Sequence, residues 1–169
     1  MATTYEAIAT VTVGAGGAST IDFTSIPATF TDLLLLVSAR GTITNATDDF
    51  TIRFNGTTTN YTSRGLEGYG SGSPASYSIT DIIANSVGAS ATASTFGNAS
   101  IYIPNYAGSN NKSVSSDSVG ENNATSATAS FNAGLWSNTA AITSIKLQSR
   151  SASNFVQHST ATLYGIKNT

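Results

Sequence analysis

Phe50-Thr51-Ile52-Arg53-Phe54-Asn55-Gly56 sets the reading of the whole chain. Phe50, Ile52 and Phe54 fall on one side of an extended backbone and Thr51 and Arg53 on the other, the period-two pattern of a half-buried strand. Asn55-Gly56 follows at once, and both residues accept the positive φ that tight turns between strands demand. The stretch predicts a strand with an apolar inner face, an Asn55-Gly56 hairpin turn and a return strand near Asn60 to Ser63.

The same alternation extends in both directions. Toward the amino terminus, Tyr5 to Val13 puts Tyr5, Ala7, Ala9, Val11 and Val13 on one face, and Gly14-Ala15-Gly16-Gly17 breaks the strand. A short strand is expected at Thr20 to Phe23, ended by Ile26-Pro27 because proline cannot donate to a ladder. Asp32 to Arg40 contains the run Leu33 to Val37, which fits a strand covered on both faces, or one covered by the core on one side and a neighbouring subunit on the other. Gly65 to Ser78 is rich in Gly, Ser and Tyr and reads as a long loop or an irregular edge. Around Ile79, Ile82, Ile83 and Val87 a short helix competes with a strand. Further strands are expected at Thr95 to Pro104, Lys112 to Gly120, Ser126 to Trp136, Ile142 to Arg150 and Ser159 to Ile166, with breakers between them. Eight to ten short strands at this spacing predict an all-β fold. The expected architecture is one antiparallel β-sandwich of jelly-roll type over residues 1–169.

Composition narrows the function. Only 9% of the 169 residues are charged, against about 25% in an average domain. Ser, Thr, Asn and Gly supply 80 residues, so the polar surface is made of hydroxyls and amides. Seven basic and nine acidic residues show no cluster of either sign, which argues against a nucleic-acid partner. No apolar run nears the ~20 residues of a membrane span, and Met-Ala-Thr-Thr-Tyr-Glu lacks a secretory signal pattern. Without cysteine and with one histidine, His158, no cofactor, metal centre or catalytic constellation is expected. The six Asn-X-Ser/Thr triplets, at Asn45, Asn55, Asn60, Asn98, Asn111 and Asn123, follow from composition.

Four motifs invite chemistry and fall short of it. Gly14 to Ser19 lacks the sixth-position glycine and the following helix of a dinucleotide loop, so it reads as a turn. Asp48-Asp49 lacks the regular spacing of a calcium loop and reads as a solvated loop before the Phe50 strand. Gly70-Ser71-Gly72-Ser73 has no strand-to-helix elbow. Glu6, Glu67 and Glu121 stand in unrelated segments, so a glycosidase pair would have to be made by the fold. The better binding candidates are Tyr61, Arg64, Tyr69 and Tyr77, a set suited to adaptable contacts with proteins or sugars. The competing reading packs those rings beneath their own loops. Trp136 faces the opposite side of its strand from Ala133 and Leu135.

Three stretches together resemble a known family: Thr24-Ser25-Ile26-Pro27-Ala28-Thr29-Phe30-Thr31-Asp32-Leu33 running to Ser38-Ala39-Arg40; Ile52-Arg53-Phe54-Asn55-Gly56 with Asn60-Tyr61; and Ala161-Thr162-Leu163-Tyr164-Gly165-Ile166. In that order they are similar to small virion structural proteins of tailed bacteriophages, common in marine and cyanobacterial phages. The resemblance spans most of the chain, although residues 70–140 match only in style. It implies a jelly-roll-like protein of the particle surface, made in the host bacterial cytoplasm, that decorates or cements the head or attaches to the tail. Its implied partners are the major capsid protein or other virion proteins and sister copies in a homotrimer, and it carries no catalytic motif. A tail-associated module holding host glycan is the alternative.

Overall fold

A computed structural model describes residues 4–123 and 126–167. Met1 to Thr3, where part of the amino-terminal pattern was read, and Ala124-Thr125 of the Asn123 triplet lie outside them. The described residues form twelve strands and no helix. They are β1 (Thr4–Thr12), β2 (Thr20–Phe23), β3 (Asp32–Ala39), β4 (Thr47–Phe54), β5 (Tyr61–Tyr69), β6 (Ala75–Ile79), β7 (Ile83–Val87), β8 (Gly97–Pro104), β9 (Lys112–Gly120), β10 (Thr128–Trp136), β11 (Ile145–Ser149) and β12 (Thr160–Lys167).

These strands make an antiparallel β-sandwich. An eight-stranded sheet runs β1-β12-β3-β8-β9-β10-β5-β6, and a four-stranded sheet runs β2-β11-β4-β7. The chain changes sheet at every connection except β5 to β6, β8 to β9 and β9 to β10. Two inserted hairpins, β5–β6 and β9–β10, stay in the large sheet and lengthen it beyond β8.

Alternation accounts for the core. Leu33, Leu35 and Val37 of β3, Ile101 and Ile103 of β8 and Leu163 of β12 meet Phe50, Ile52 and Phe54 of β4 and Leu147 of β11 in one buried cluster. The Leu33 to Val37 run is not covered on both sides within the chain, since Leu36 on the outer face is 41% exposed. Hydroxyls of β9 face inward and cap the outer edge of β7, and one of β5 ties the chain just before it. Ser116 donates to the Ile83 carbonyl at 3.0 Å, the Asn85 N–H donates to Ser118 at 2.9 Å, and Ser63 donates to the Asp81 carbonyl at 2.7 Å. Glycine makes this approach possible: a Cβ on Gly97 would stand 2.8 Å from the Ser86 backbone, and one on Gly134 would stand 2.8 Å from Ile82.

Several expectations are corrected. The count is twelve strands rather than eight to ten; of the two readings of Gly65 to Ser78 the edge holds and the loop does not, since most of the stretch is the β5–β6 hairpin at the edge of the large sheet. The competing helix near Ile83 is strand β7, and Asp48-Asp49 lies inside β4 rather than in a loop. Asn55-Gly56 is indeed a turn, with φ of 52° and 68°, but it closes no hairpin. Both edges of β4 are taken, by β11 at residues 50–54 and by β7 at residues 47–51, so the returning chain passes to the other sheet. The Asn55 side chain anchors that exit, accepting from the N–H groups of Thr143 (2.8 Å) and Ser144 (3.1 Å).

Asp48 gives the fold a pH signature. Its buried carboxylate accepts from Ser153 at 3.0 Å, Ser149 at 3.2 Å and the Asp49 N–H at 2.9 Å. Burial outweighs these bonds and raises its pKa above the usual 3.8. A raised folded pKa means the native state holds the proton more tightly. The stability this gives is complete below 3.8 and is lost as pH rises through the folded pKa. The difference in Tm between Asp48→Asn and wild type is therefore expected to shift in the variant's favour as pH rises from about 3.5 to 7. Parallel melting curves across that range would sink the expectation.

Candidate functional site: the outer face of the large sheet

On β10, Thr128, Ser130, Asn132, Gly134 and Trp136 turn inward, so Ala129, Phe131, Ala133 and Leu135 turn outward. Pairing extends this rule to the neighbouring strands. Leu66 of β5 and Asp117 of β9 stand directly opposite Phe131, and Arg64 and Ser115 stand opposite Ala133. The result is a contiguous apolar surface in which Leu66 is 61% and Phe131 56% exposed. Two open depressions of about 350 Å³ each flank this pair; Arg64, Tyr77 and Ala133 line one, Pro74, Asp117 and Val119 the other. Leu135, Tyr102 and Leu36 extend the face across β10, β8 and β3. Among the described residues Val119 on the same face, with Tyr5 and Tyr69, completes the large exposed apolar side chains. A patch of this kind marks a surface made to be covered.

Charge singles out the same place. Among the described residues, Arg64 and Asp117 are the charged side chains that make no hydrogen bond or ion pair. The others are tied, as Lys167 is to Glu6 at 3.1 Å and Asp32 to the Asn105 N–H at 2.9 Å. Arg64 and Asp117 lie diagonally across β10, two strands and one rung apart. From ordinary strand spacings that is about 12 Å, too far to pair across Phe131.

The four sequence candidates separate. Tyr61 is a correction: it is 3% exposed, stacked on Trp136 at 6.2 Å with an interplanar angle of 16°. Its hydroxyl accepts from the Phe54 N–H at 2.8 Å, and burial raises its pKa. It holds the sheets together and offers no ring to a ligand. Tyr77 points inward from β6 and donates to Asn132 Oδ1; burial, then the nearby Glu67 carboxylate, raises its pKa. Tyr69 stands exposed at the end of β5. Arg64 lies on the outer face and shares a depression with one edge of Tyr77. Leu66, Phe131 and Asp117 were missed. Phe131 alone had a signal in the sequence, since it and Trp136 lie on opposite faces of one strand and both could not be core; Leu66 and Asp117 join it only through the register.

A second, polar groove of about 340 Å³ crosses the outer side of β4 and β11, lined by Thr51, Arg53, Asp81, Lys146, Gln148 and Arg150. Its charges neutralise one another: Arg53 meets Asp81 at 2.5 Å, Arg150 meets Asp49 at 3.3 Å, and Lys146 meets Asp22 at 3.8 Å. Next to it, Asp49 and Glu67 line a cavity of about 250 Å³ with Tyr77, Asn85 and Arg150. The fold thus brings together two carboxylates from distant segments. Each is already engaged, Glu67 by Asn85 at 3.0 Å and Asp49 by Arg150. Among the described residues no group of three or more His, Asp or Glu could hold a metal ion. No family model matches the chain, and no curated protein or solved structure matches it either.

Proposed function

We propose that this chain is a non-enzymatic structural component of a tailed-phage particle. In this reading it is a jelly-roll sandwich on the virion surface that decorates or cements the head, with the major capsid protein or another virion protein beside it. The observation that carries the proposal is the outer face around Leu66 and Phe131, an apolar surface on a chain with very few charges. Low charge limits repulsion between crowded copies and leaves attachment to shape and apolar burial. Strand order supports the jelly-roll reading. Without the two inserted hairpins, the sheets run first-eighth-third-sixth and second-seventh-fourth-fifth, the order of a strand pair wound on itself. Two of the stretches similar to virion proteins enter β3 and form β12, which are neighbours in the large sheet. A protein that binds only the assembled shell stabilises it by mass action.

Cryo-EM of intact particles, with antibody labelling of this chain, tests the proposal. Density on the head at threefold or quasi-threefold positions is expected. Density confined to the tail would retire the cement role, and absence from purified particles would retire the proposal. The polar groove favours a second reading, a tail module that holds uncharged host glycan. Ion-paired Arg53, Asp81 and Arg150 with Gln148 present fixed donors and acceptors to hydroxyl groups. Binding on a glycan array that disappears in Gln148→Ala would support that reading.

A further inference from the structure

We propose that the outer face of the large sheet is a two-fold docking surface for a second copy of this chain, closed by Arg64 of each protomer on Asp117 of the other. This deepens the structural reading given above by naming one partner for that face.

The register makes the face self-complementary. Leu66, Phe131 and Asp117 occupy one rung across β5, β10 and β9, and Arg64, Ala133 and Ser115 occupy the next. The midpoint between Arg64 and Asp117 therefore falls on β10, between Phe131 and Ala133. A two-fold axis lying in the face through that point exchanges Arg64 with Asp117. It also sets Leu66 of one protomer on Phe131 of the other. One operation thus covers the most exposed apolar pair and partners both free charges, each contact occurring twice as an isologous interface requires.

Sheet-edge addition competes poorly as a route to a second copy. The β1 edge is broken by a bulge between Ala7 and Ala9, and β2 has four residues. β6 has five residues with Pro74 just before them, and the β7 edge is capped by Ser116 and Ser118. Short, bulged or capped edges resist pairing with another chain. The face is what remains open.

The test is sedimentation velocity on the purified full chain over a concentration series reaching about 100 µM. A dimer is expected. Arg64→Asp alone and Asp117→Arg alone should each weaken it by about tenfold or more, since each change turns two attractions into two repulsions. The double reversal Arg64→Asp/Asp117→Arg should restore the dimer to within about threefold of wild type, which a merely structural role for either residue would not do. Phe131→Asp should leave a monomer. Circular dichroism checks that each variant is folded, which their exposed positions allow. A monomer at the highest concentration overturns the pairing, as does a trimer insensitive to either reversal or a double variant no better than the singles. A chain that is monomeric in solution yet found on particles refutes this pairing and leaves the structural reading standing. A dimer absent from particles does the reverse.

Discussion

Trp136→Ala is expected to destabilise the protein by about 3–5 kcal/mol, the range for emptying a large aromatic site in a core. For a domain of this size that lowers Tm by about 10 °C or more. The indole is fully buried at the end of β10, with its ring centroid 5.5 Å from Phe54 in the small sheet and 6.2 Å from Tyr61 in the large one. It joins the β5 and β10 hairpins to the small sheet. Its Nε1–H is buried without a hydrogen-bond partner, so the side chain is kept for its volume and not for its polar atom. Trp136→Phe should therefore cost less than half as much as the alanine change. Thermal melts followed by circular dichroism decide it; an alanine variant within 1 kcal/mol of wild type would refute this account of the core. Phe131, on the other face of the same strand, gives the contrast. Phe131→Ala should leave Tm nearly unchanged and weaken assembly.

That contrast shows what was legible in the sequence. Alternation located β2, β3, β9 and β10 to within two residues and separated the two faces of β10, because side-chain direction along a strand depends only on the strand itself. Pairing was not legible. Asn55-Gly56 has the local chemistry of a hairpin, but β4 finds its partners 32–40 and 91–99 residues further on, in β7 and β11. The Gly65 to Ser78 stretch was left between a loop and an edge for a different reason. Its small residues carry weak strand preference, and its strands form because β10 offers Leu66 and Arg64 a neighbour. Tyr61 shows the limit again: it falls in the expected return strand near Asn60 to Ser63, but that strand pairs with β10 and β6 and not with β4, and the ring stacked on it comes from Trp136. Of the proposed interface, Arg64 could be picked from the sequence. Asp117 could not, since only the β9–β10–β5 register sets it opposite Phe131 and diagonal to Arg64.

Arg40→Ala is expected to cost about 3–4 kcal/mol, because one buried guanidinium organises the whole connection between β7 and β8. Its Nη1 donates to the carbonyls of Thr92 (2.8 Å) and Thr95 (3.0 Å), and its Nη2 to those of Ala89 and Ala91 at 3.0 Å each. A chain with only seven cations has buried this one, as it has Lys112, where a ring of carbonyl oxygens takes the role of a counterion. Removing it leaves four acceptors facing a void, and these include backbone that cannot turn to water without unfolding the connection. Lysine is a poor substitute. A single ammonium with three donors cannot match a planar fork that reaches four carbonyls, so Arg40→Lys should recover less than half of the loss. Hydrogen exchange locates the effect. Amides of residues 88–96 should lose protection first in both variants, while β3 and β12 keep theirs until global unfolding. If the loop stays protected in Arg40→Ala, the connection is held by its own turns, such as the Ala91 N–H to Gly88 carbonyl bond at 3.2 Å, and the guanidinium is incidental. If protection is lost there alone, the sandwich tolerates an open β7–β8 crossing. The outer face, carried by β5, β9 and β10, should then still assemble.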